Sequence, residues 1–466
     1  MMPVIFITDA LIFMLVFMVV AYVLYARRHE HLSAPWHNVA CRPLAMSAAI
    51  ILSIYIVVGL LDSVHFHPKL EATKSSDKIY STEVSSLLDL VLGDLHQNTE
   101  RTYSAPLASY AFAKEMIDLP GGKQVRDYPR LKFGGAHLDD PATERSSDII
   151  KLIFIGLICG LVISLFLSSL IIYILSRAHK ISLKQALNKV CHDDFYVAWT
   201  AMIITMALII MSATSLYNLS QYYHVFGTDK VGQDVLYQAI KSVRTGLVIG
   251  TLTTLVMLPF AIMMGLMAGY FRGWIDDIIQ YLYTTLNSIP GVLLIAASIL
   301  LLQVYIGNHA DDFNSIEERA DLRLLFLCII LGITSWTGLC RLLRAETLKL
   351  REIDYVQAAQ AFGVSNLSIM LRHLLPNLMH IVMITIVIDF SGLVLAEAVL
   401  SYINIGVDPS MNSWGNMING ARLEMAREPI VWWSLAAAFV FMFVLVLAAN
   451  LFSDAVRDAF DPRLRH

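Results

Sequence analysis

A chain of 466 residues that is 57% hydrophobic and only 15% charged departs from soluble domains, where about a quarter of residues carry charge. With a mean hydropathy of +0.62 it belongs in a bilayer, which excludes a soluble enzyme. A formal net charge of −4 argues against a general polyanion binder, so no nucleic-acid partner is expected.

Nine apolar windows reach the roughly 20 residues needed to cross about 30 Å of hydrocarbon at about 1.5 Å per residue. They lie near 4–25, 44–61, 149–175, 196–216, 245–267, 279–302, 324–340, 378–400 and 430–451. The first lacks a basic leading region and a small-residue cleavage pattern, and Arg27 and Arg28 follow it directly. It is therefore expected to be a retained anchor, with Asp9 at its interfacial end.

Between the second and third windows lies the only sizeable soluble piece, 62–148. Val84, Leu87, Leu88, Val91 and Leu95 repeat at helical spacing and predict a helix near 82–97. Leu119-Pro120-Gly121-Gly122 and Phe133-Gly134-Gly135 read as turns. The insert has no cysteine; the five in the chain, at 41, 159, 191, 328 and 340, do not form a secreted disulfide framework. It serves either as a small cap on the membrane domain or as a docking surface for an external partner. Further along, Pro290 after Asn287 and Ser288 predicts a kink in the sixth window.

Lys and Arg set the orientation. The loops 26–43, 177–195, 268–278, 341–377 and 454–466 hold 16 basic residues, against 7 in the opposing short loops 217–244, 303–323 and 401–429. The first set is expected in the cytoplasm, with the N-terminus outside and the C-terminus inside, as an odd number of spans requires.

Catalytic motifs are missing. There is no G-x-x-x-x-G-K-[ST] phosphate loop, no H-E-x-x-H, no G-x-S-x-G and no paired C-x-x-C. His29 with His31 and His65 with His67 would put two rings on one side of a strand, but both pairs flank spans, where interfacial histidine is common; no metal is expected. Asp389 and Glu397 stand eight residues apart in the eighth window, on roughly one helix face. Charge within a span is costly. They either line a passage or make structural hydrogen bonds to a neighbouring span.

The stretch 352–376 reads EIDYVQAAQAFGVSNLSIMLRHLLP. Gln357 to Phe362 favours helix, with small side chains at Ala358, Ala359 and Ala361. Gly363 then permits a turn through positive φ. Ser365 or Asn366 caps a second helix, and Pro376 stands where the next span begins. The residues alone fit either an ordinary interfacial loop or a short helix–turn–helix across the inner face.

This stretch resembles the EAA motif of ABC importer permeases, E-A-A, three residues, Gly, nine residues, I-x-L-P. Here it runs Gln357-Ala358-Ala359, Gly363, then His373-Leu374-Leu375-Pro376, with Gln for Glu and His for Ile. Five further segments resemble the dipeptide, oligopeptide and nickel branch of that family. They are Gly227-Thr228-Asp229 with Gly232-Gln233-Asp234-Val235-Leu236; Ala268-Gly269-Tyr270-Phe271-Arg272-Gly273-Trp274; Leu395-Ala396-Glu397-Ala398 with Leu400-Ser401; Ser413-Trp414-Gly415-Asn416-Met417; and Val456 through Pro462. Gln233 replaces an Arg of the family pattern and Arg272 a Gly. The matches cover 196–466, whereas 1–195 carries three additional spans.

The resemblance implies an all-α, six-span importer core of the type I kind at 196–466, preceded by a three-span extension at 1–195. It implies a non-catalytic pore subunit in a bacterial inner membrane. Such a subunit works with a second permease subunit, two cytoplasmic ATPases that hold ATP and Mg, and an extracytoplasmic solute-binding protein. No cofactor is expected on this chain. In that frame Gln357, Ala358, Ala359, Gly363, Leu375 and Pro376 couple to the ATPase. Asp389 and Glu397 belong to the translocation pathway, and Asp229, Ser413 and Trp414 to binding-protein docking. The rival expectation is an ion-gradient carrier that uses the two intramembrane carboxylates.

Overall fold

The computed structural model describes residues 2–28, 30–69, 81, 84–118, 124–192, 195–309, 313 and 315–460. It opens with strand β1 (Met2–Val4), followed by helices α1 (Ile7–Ala26), α2 (Glu30–Ala40) and α3 (Pro43–Asp62). The insert holds β2 (His65–His67), β3 (Ser85–Ser86), α4 (Leu87–Val91), α5 (Gly93–Gln97), β4 (Glu115–Asp118) and β5 (Gln124–Asp127). Then come α6 (Pro141–Ala178), α7 (Leu183–Cys191), α8 (Trp199–Ser220), α9 (Val235–Phe271), α10 (Trp274–Ser288) and α11 (Gly291–Asn308). The chain finishes with α12 (Ile316–Ser335), α13 (Thr337–Leu350), α14 (Asp354–Ala361), α15 (Asn366–Ile369), α16 (Leu375–Tyr402), α17 (Trp414–Glu424) and α18 (Trp433–Phe460). Among the described residues nine helical segments are long and apolar enough to cross a membrane, and the architecture is all-α apart from two small sheets.

Three expectations need correction. The sixth window is two helices, not one kinked span. A residue before proline is driven out of the helical region, and Ile289 is extended (φ −87°, ψ 129°). Thus α10 stops at Ser288, and α11 alone is long and apolar enough to span. The helix near 82–97 begins outside the described residues, and its described part is two short helices. Ser86 and Asp89 form a capping box, Asp89 N donating to Ser86 Oγ at 3.2 Å and Ser86 N to Asp89 Oδ2 at 2.8 Å, which fixes the start at Leu87. Leu92 then leaves helical geometry. Asp9, expected at an interface, is 1% exposed.

The Phe133-Gly134-Gly135 turn is present, with Gly135 at φ +65°. The turn at 119–122, His29 and the last two residues of the 456–462 stretch lie outside the described residues. His65 and His67 sit on the middle strand of the β1-β2-β3 sheet. Among the described residues no three His, Cys, Asp or Glu side chains group as a metal site would require.

The chain forms two compact units. The first comprises Met1–Val4, Trp36–Thr245 and Asn412–Phe452. In it α6 packs closely on α8 through Gly156 and Gly160. A Cβ on Gly156 would stand 2.5 Å from Ser215 Cα, and one on Gly160 2.7 Å from Met211 Cα. Thr214 Oγ1 donates to the Gly156 carbonyl at 2.8 Å. Gly-x-x-x-Gly serves helix association in lipid because van der Waals packing replaces a hydrophobic driving force. A buried polar cluster joins α3, α4 and α9. Lys241 Nζ is 2.8 Å from Asp89 Oδ1 and 3.6 Å from Asp62 Oδ1, while Ser86 Oγ donates to Asp62 and Tyr237 Oη to Asp89, each at 2.7 Å. Burial works to raise the Asp89 carboxyl, but the Lys241 ammonium together with the bonds from Ser86 and Tyr237 holds the group below its ordinary range.

The second unit comprises Ile5–Pro35, Gly246–Met411 and Ser453–His466. Here α1 packs on α12, with Leu11 and Ile12 against a core that includes Leu324, Leu327 and Cys328. The Thr8 amide donates to Asp321 Oδ2 at 3.2 Å, and the Thr8 hydroxyl to the other oxygen. The larger core of this unit gathers Met257 and Leu266 of α9, Leu339 and Leu343 of α13, and Leu374 and Leu378 around the start of α16.

Replacing Gly160 by Leu should overpack α6 against α8 and destabilise the first unit by about 1–3 kcal/mol. The detergent-solubilised variant should show a lower thermal unfolding midpoint than wild type, with Gly160→Ala in between.

Candidate functional site

The loop 352–376 is built from α14, a glycine turn and a short helix that runs on into a span. α14 ends in a Schellman motif, with Gly363 at φ +74°. The Val364 amide donates to the Ala359 carbonyl at 3.1 Å and the Gly363 amide to that of Gln360 at 3.0 Å. Ser365 is the N-cap residue of α15, though without a side-chain cap bond. The second helix is not a separate element, as the sequence suggested. It passes through a π-helical turn (Met370–Leu374) directly into α16. Pro376, without an amide hydrogen, follows that turn, and Asn377 Nδ2 donates to the His373 carbonyl at 2.7 Å.

Two remote motif stretches meet here. Tyr270, at the end of α9, donates from Oη to Asn366 Oδ1 at 2.9 Å and accepts from Gln360 Nε2 at 3.3 Å. Its carbonyl accepts from Arg351 Nη1 at 2.7 Å. Arg272, which stands where the family pattern has Gly, has φ +56° and pairs with Glu352 at 2.6 Å. Below them Arg344 grips Asp276 of α10 with two bonds of 2.6 and 2.7 Å. Those bonds, against partial burial, hold the Asp276 carboxyl below its usual range. Gly265 and Gly269 bring α9 onto α13, since a Cβ on either would meet Leu343 or Thr347 at 2.7 and 2.5 Å.

So braced, the loop buries one face and offers the other. Val356 and Ile369 lie in the core, and Ala359 and Leu375 pack against it. Gln357, Ala358, Gly363 and Pro376 are exposed, and Phe362 beside the turn is 87% exposed. Leu367 and Leu371 are also exposed. Tyr270, Phe271, Arg351, Gln360, Val364 and Asn366 line an adjacent open groove of about 340 Å³. Sequence reasoning missed Phe362, whose only signal was a large aromatic next to the turn glycine. It also missed Tyr270 as the brace. The Gly265 and Gly269 spacing was the readable clue to close helix packing.

In the eighth window Glu397 is 2% exposed and accepts from Ser401 Oγ at 2.7 Å, whereas Asp389 is half-buried. The three residues expected at binding-protein docking lie in the first unit, Asp229 partly exposed and the other two buried. Asp229 Oδ1 accepts from the Val231 and Gln233 amides at 2.9 Å, and Oδ2 from Gln238 Nε2 at 2.8 Å. Ser413 and Trp414, expected on a docking surface, are each 1% exposed. Ser413 caps α17 by accepting from the Asn416 amide at 3.0 Å. The Trp414 indole donates to the Ala239 carbonyl at 3.0 Å. An apolar indole with one bonded N–H gains more inside than on a wet surface.

Comparisons with known proteins identify the family. The model of the family described as binding-protein-dependent transport system inner membrane component matches residues 261–466. The chain is 30% identical over 244 residues to the glutathione transport system permease protein GsiD of Pectobacterium atrosepticum, covering 52% of this chain and 73% of that protein. It is 29% identical over 243 residues to the oligopeptide transport system permease protein OppC of Haemophilus influenzae, covering 52% and 71%. To the dipeptide transport system permease protein DppC of Lactococcus lactis it is 30% identical over 240 residues, covering 52% and 64%. The chain therefore belongs to the binding-protein-dependent transport system inner membrane components, the non-catalytic permease subunits of ABC importers.

Proposed function

We propose that this chain forms part of the pore of an ATP-driven importer for peptides or similar small solutes, in a bacterial inner membrane. The observation that carries the reading is the braced loop. Tyr270 and Arg351 fix 352–376 to the end of α9, and α15 continues into α16. A push on the loop is thus delivered to spans. Phe362 is the anchor: exposed aromatic side chains seated in a partner's pocket dominate interface energies. Gln357 and Ala358 flank it, Ala359 and Leu375 seat the loop, and Gly363 and Pro376 set its bends.

In this arrangement the loop and the C-terminus face the cytoplasm and the N-terminus lies outside, as the basic residues favour. Two cytoplasmic ATPases bind ATP and Mg, and this chain binds no cofactor. A second permease subunit completes the passage, and a solute-binding protein delivers the substrate from outside. The Gly227–Asp234 region contributes to that docking face, with Asp229, Ser413 and Trp414 as its framework. Residues 1–195, with the insert 62–148, act as an added unit on the core 196–466. Asp389 and Glu397 belong to the passage. The names of the relatives support an importer over an ion-gradient carrier that uses these carboxylates.

Mild-detergent purification of the tagged chain should recover a second permease chain and ATPase subunits, and Phe362→Ala should weaken ATPase association about tenfold or more. A purified oligomer that transports without any ATPase would sink the reading. At Gly363, Val must take a left-handed conformation costing about 1–2 kcal/mol, whereas Asn tolerates it. Gly363→Val should abolish uptake with insertion intact, and Gly363→Asn should keep a measurable fraction. Asp389→Asn and Glu397→Gln should each lower uptake in vesicles while co-purification persists. Wild-type uptake in both would remove them from the passage.

A further inference from the structure

A length of the insert runs beside the segment that precedes α9 and bonds to it through the backbone. The Glu100 amide donates to the Gly232 carbonyl at 2.9 Å, the Thr228 amide to that of Ser104 at 3.1 Å, and the Leu107 amide to that of His224 at 2.9 Å. The approach needs glycine at 232, where a Cβ would collide with the Glu100 carbonyl oxygen. Midway along this seam His224 is buried between two carboxylates. Its Nδ1 lies 2.7 Å from Asp234 Oδ2 and its Nε2 3.6 Å from Glu100 Oε1.

Neither acid is free to turn away. Asp234 Oδ1 accepts from the Leu236 and Tyr237 amides at 2.8 and 3.2 Å, capping α9. Glu100 accepts from the Lys132, Phe133 and Gly134 amides at 3.0, 2.8 and 3.3 Å. A neutral imidazole has one donor and one acceptor nitrogen, so it would turn a lone pair toward one of these anions; the imidazolium donates from Nδ1 to Asp234 and faces Glu100 from Nε2 at ion-pair distance, without a hydrogen bond. Asn98, Ser220, Gln221, Tyr222 and Tyr223 are the further polar residues lining a small cavity that adjoins the ring. Tyr223 Oη in turn donates to Asp148 at 2.8 Å, and Asp148 is paired with His137 at 2.9 Å.

We propose that a charged His224 is the clasp of this seam, binding Glu100 of the insert and Asp234 at the head of α9 together, so that this length of the insert is held against the segment before α9 and loosens when the imidazolium loses its proton. Burial opposes charge on His224, but the Asp234 and Glu100 contacts prevail and push it up to about 9 from 6.5. Burial likewise opposes ionisation of Glu100, and His224 with the three amides draws that carboxyl down to about 2 from 4.5. A raised basic group stabilises fully below its unfolded value and loses that contribution as pH rises to the folded one. The depressed acid is fully stabilising above about 4.5 and fails only toward about 2. The clasp is therefore whole between about pH 4.5 and 6.5 and is lost through about 9.

The test is hydrogen–deuterium exchange of the full chain in lipid nanodiscs from pH 6 to 10, corrected for intrinsic exchange rates and read on peptides covering 98–108 and 222–234. In wild type, protection should hold near pH 6, fall by up to about tenfold per pH unit above about 6.5, and level off near 9. Peptides within α6 should show no such slope. His224→Gln should remove the slope, and Glu100→Gln, which leaves one carboxylate, should end it at a lower pH. Should His224→Gln fail to fold, Glu100→Gln decides alone. Flat wild-type protection between pH 6.5 and 9, an equal slope in His224→Gln, or an unmoved end point in Glu100→Gln would each overturn the proposal.

Discussion

Hydrocarbon offers a backbone amide no partner, so a chain that crosses it many times must stay helical inside and can bend only where something else satisfies the freed groups. Among the described residues, the breaks between α9 and α16, most of them in loops, are each tied to specific residues. Ile289 goes extended because Pro290 follows it. The α9–α10 corner puts Arg272 and Gly273 in left-handed geometry, with Arg272 held by Glu352. Gly363 closes α14 with two backbone bonds. Of these corners, that of α9–α10 and the Gly363 turn adjoin the 352–376 loop, where Tyr270 bonds Gln360, Asn366 and Arg351.

Charge obeys the same rule more severely. Lys241 with Asp62 and Asp89, Arg344 with Asp276, and Arg323 with Asp408 each join elements remote in sequence. Such pairs are weak evidence for net stability, because desolvation offsets much of their attraction. Removing one partner nevertheless leaves an uncompensated buried charge, which penalises any packing that separates them. They act as registration marks for helices whose apolar faces would otherwise slide.

The nine helices long and apolar enough to cross a membrane among the described residues were readable from hydropathy because length and apolarity are what the bilayer selects. Gly363 was readable because few other residues accept its φ. The 82–97 stretch was not, since its helical spacing said nothing of the Ser86–Asp89 capping box or of the departure at Leu92. Ser413 and Trp414 matched a motif, but a motif carries identity and not direction, and both point inward. Asp9 was misplaced for a related reason: a carboxylate early in an apolar run looks interfacial until its partners are in view. The insert's attachment had no local signature at all. Glu100, His224 and Asp234 are brought together only by the folded chain.

The π turn at Met370–Leu374 holds one residue more than an α-helical turn would over the same path. Each residue of an α-helix advances its faces by about 100°. Wound as regular α-helix instead, the same residues would turn about a quarter-turn further and swing the loop by that much around the axis of α16, pointing Phe362 in another direction. The winding of that one turn, together with the Tyr270 brace, sets the direction of the loop.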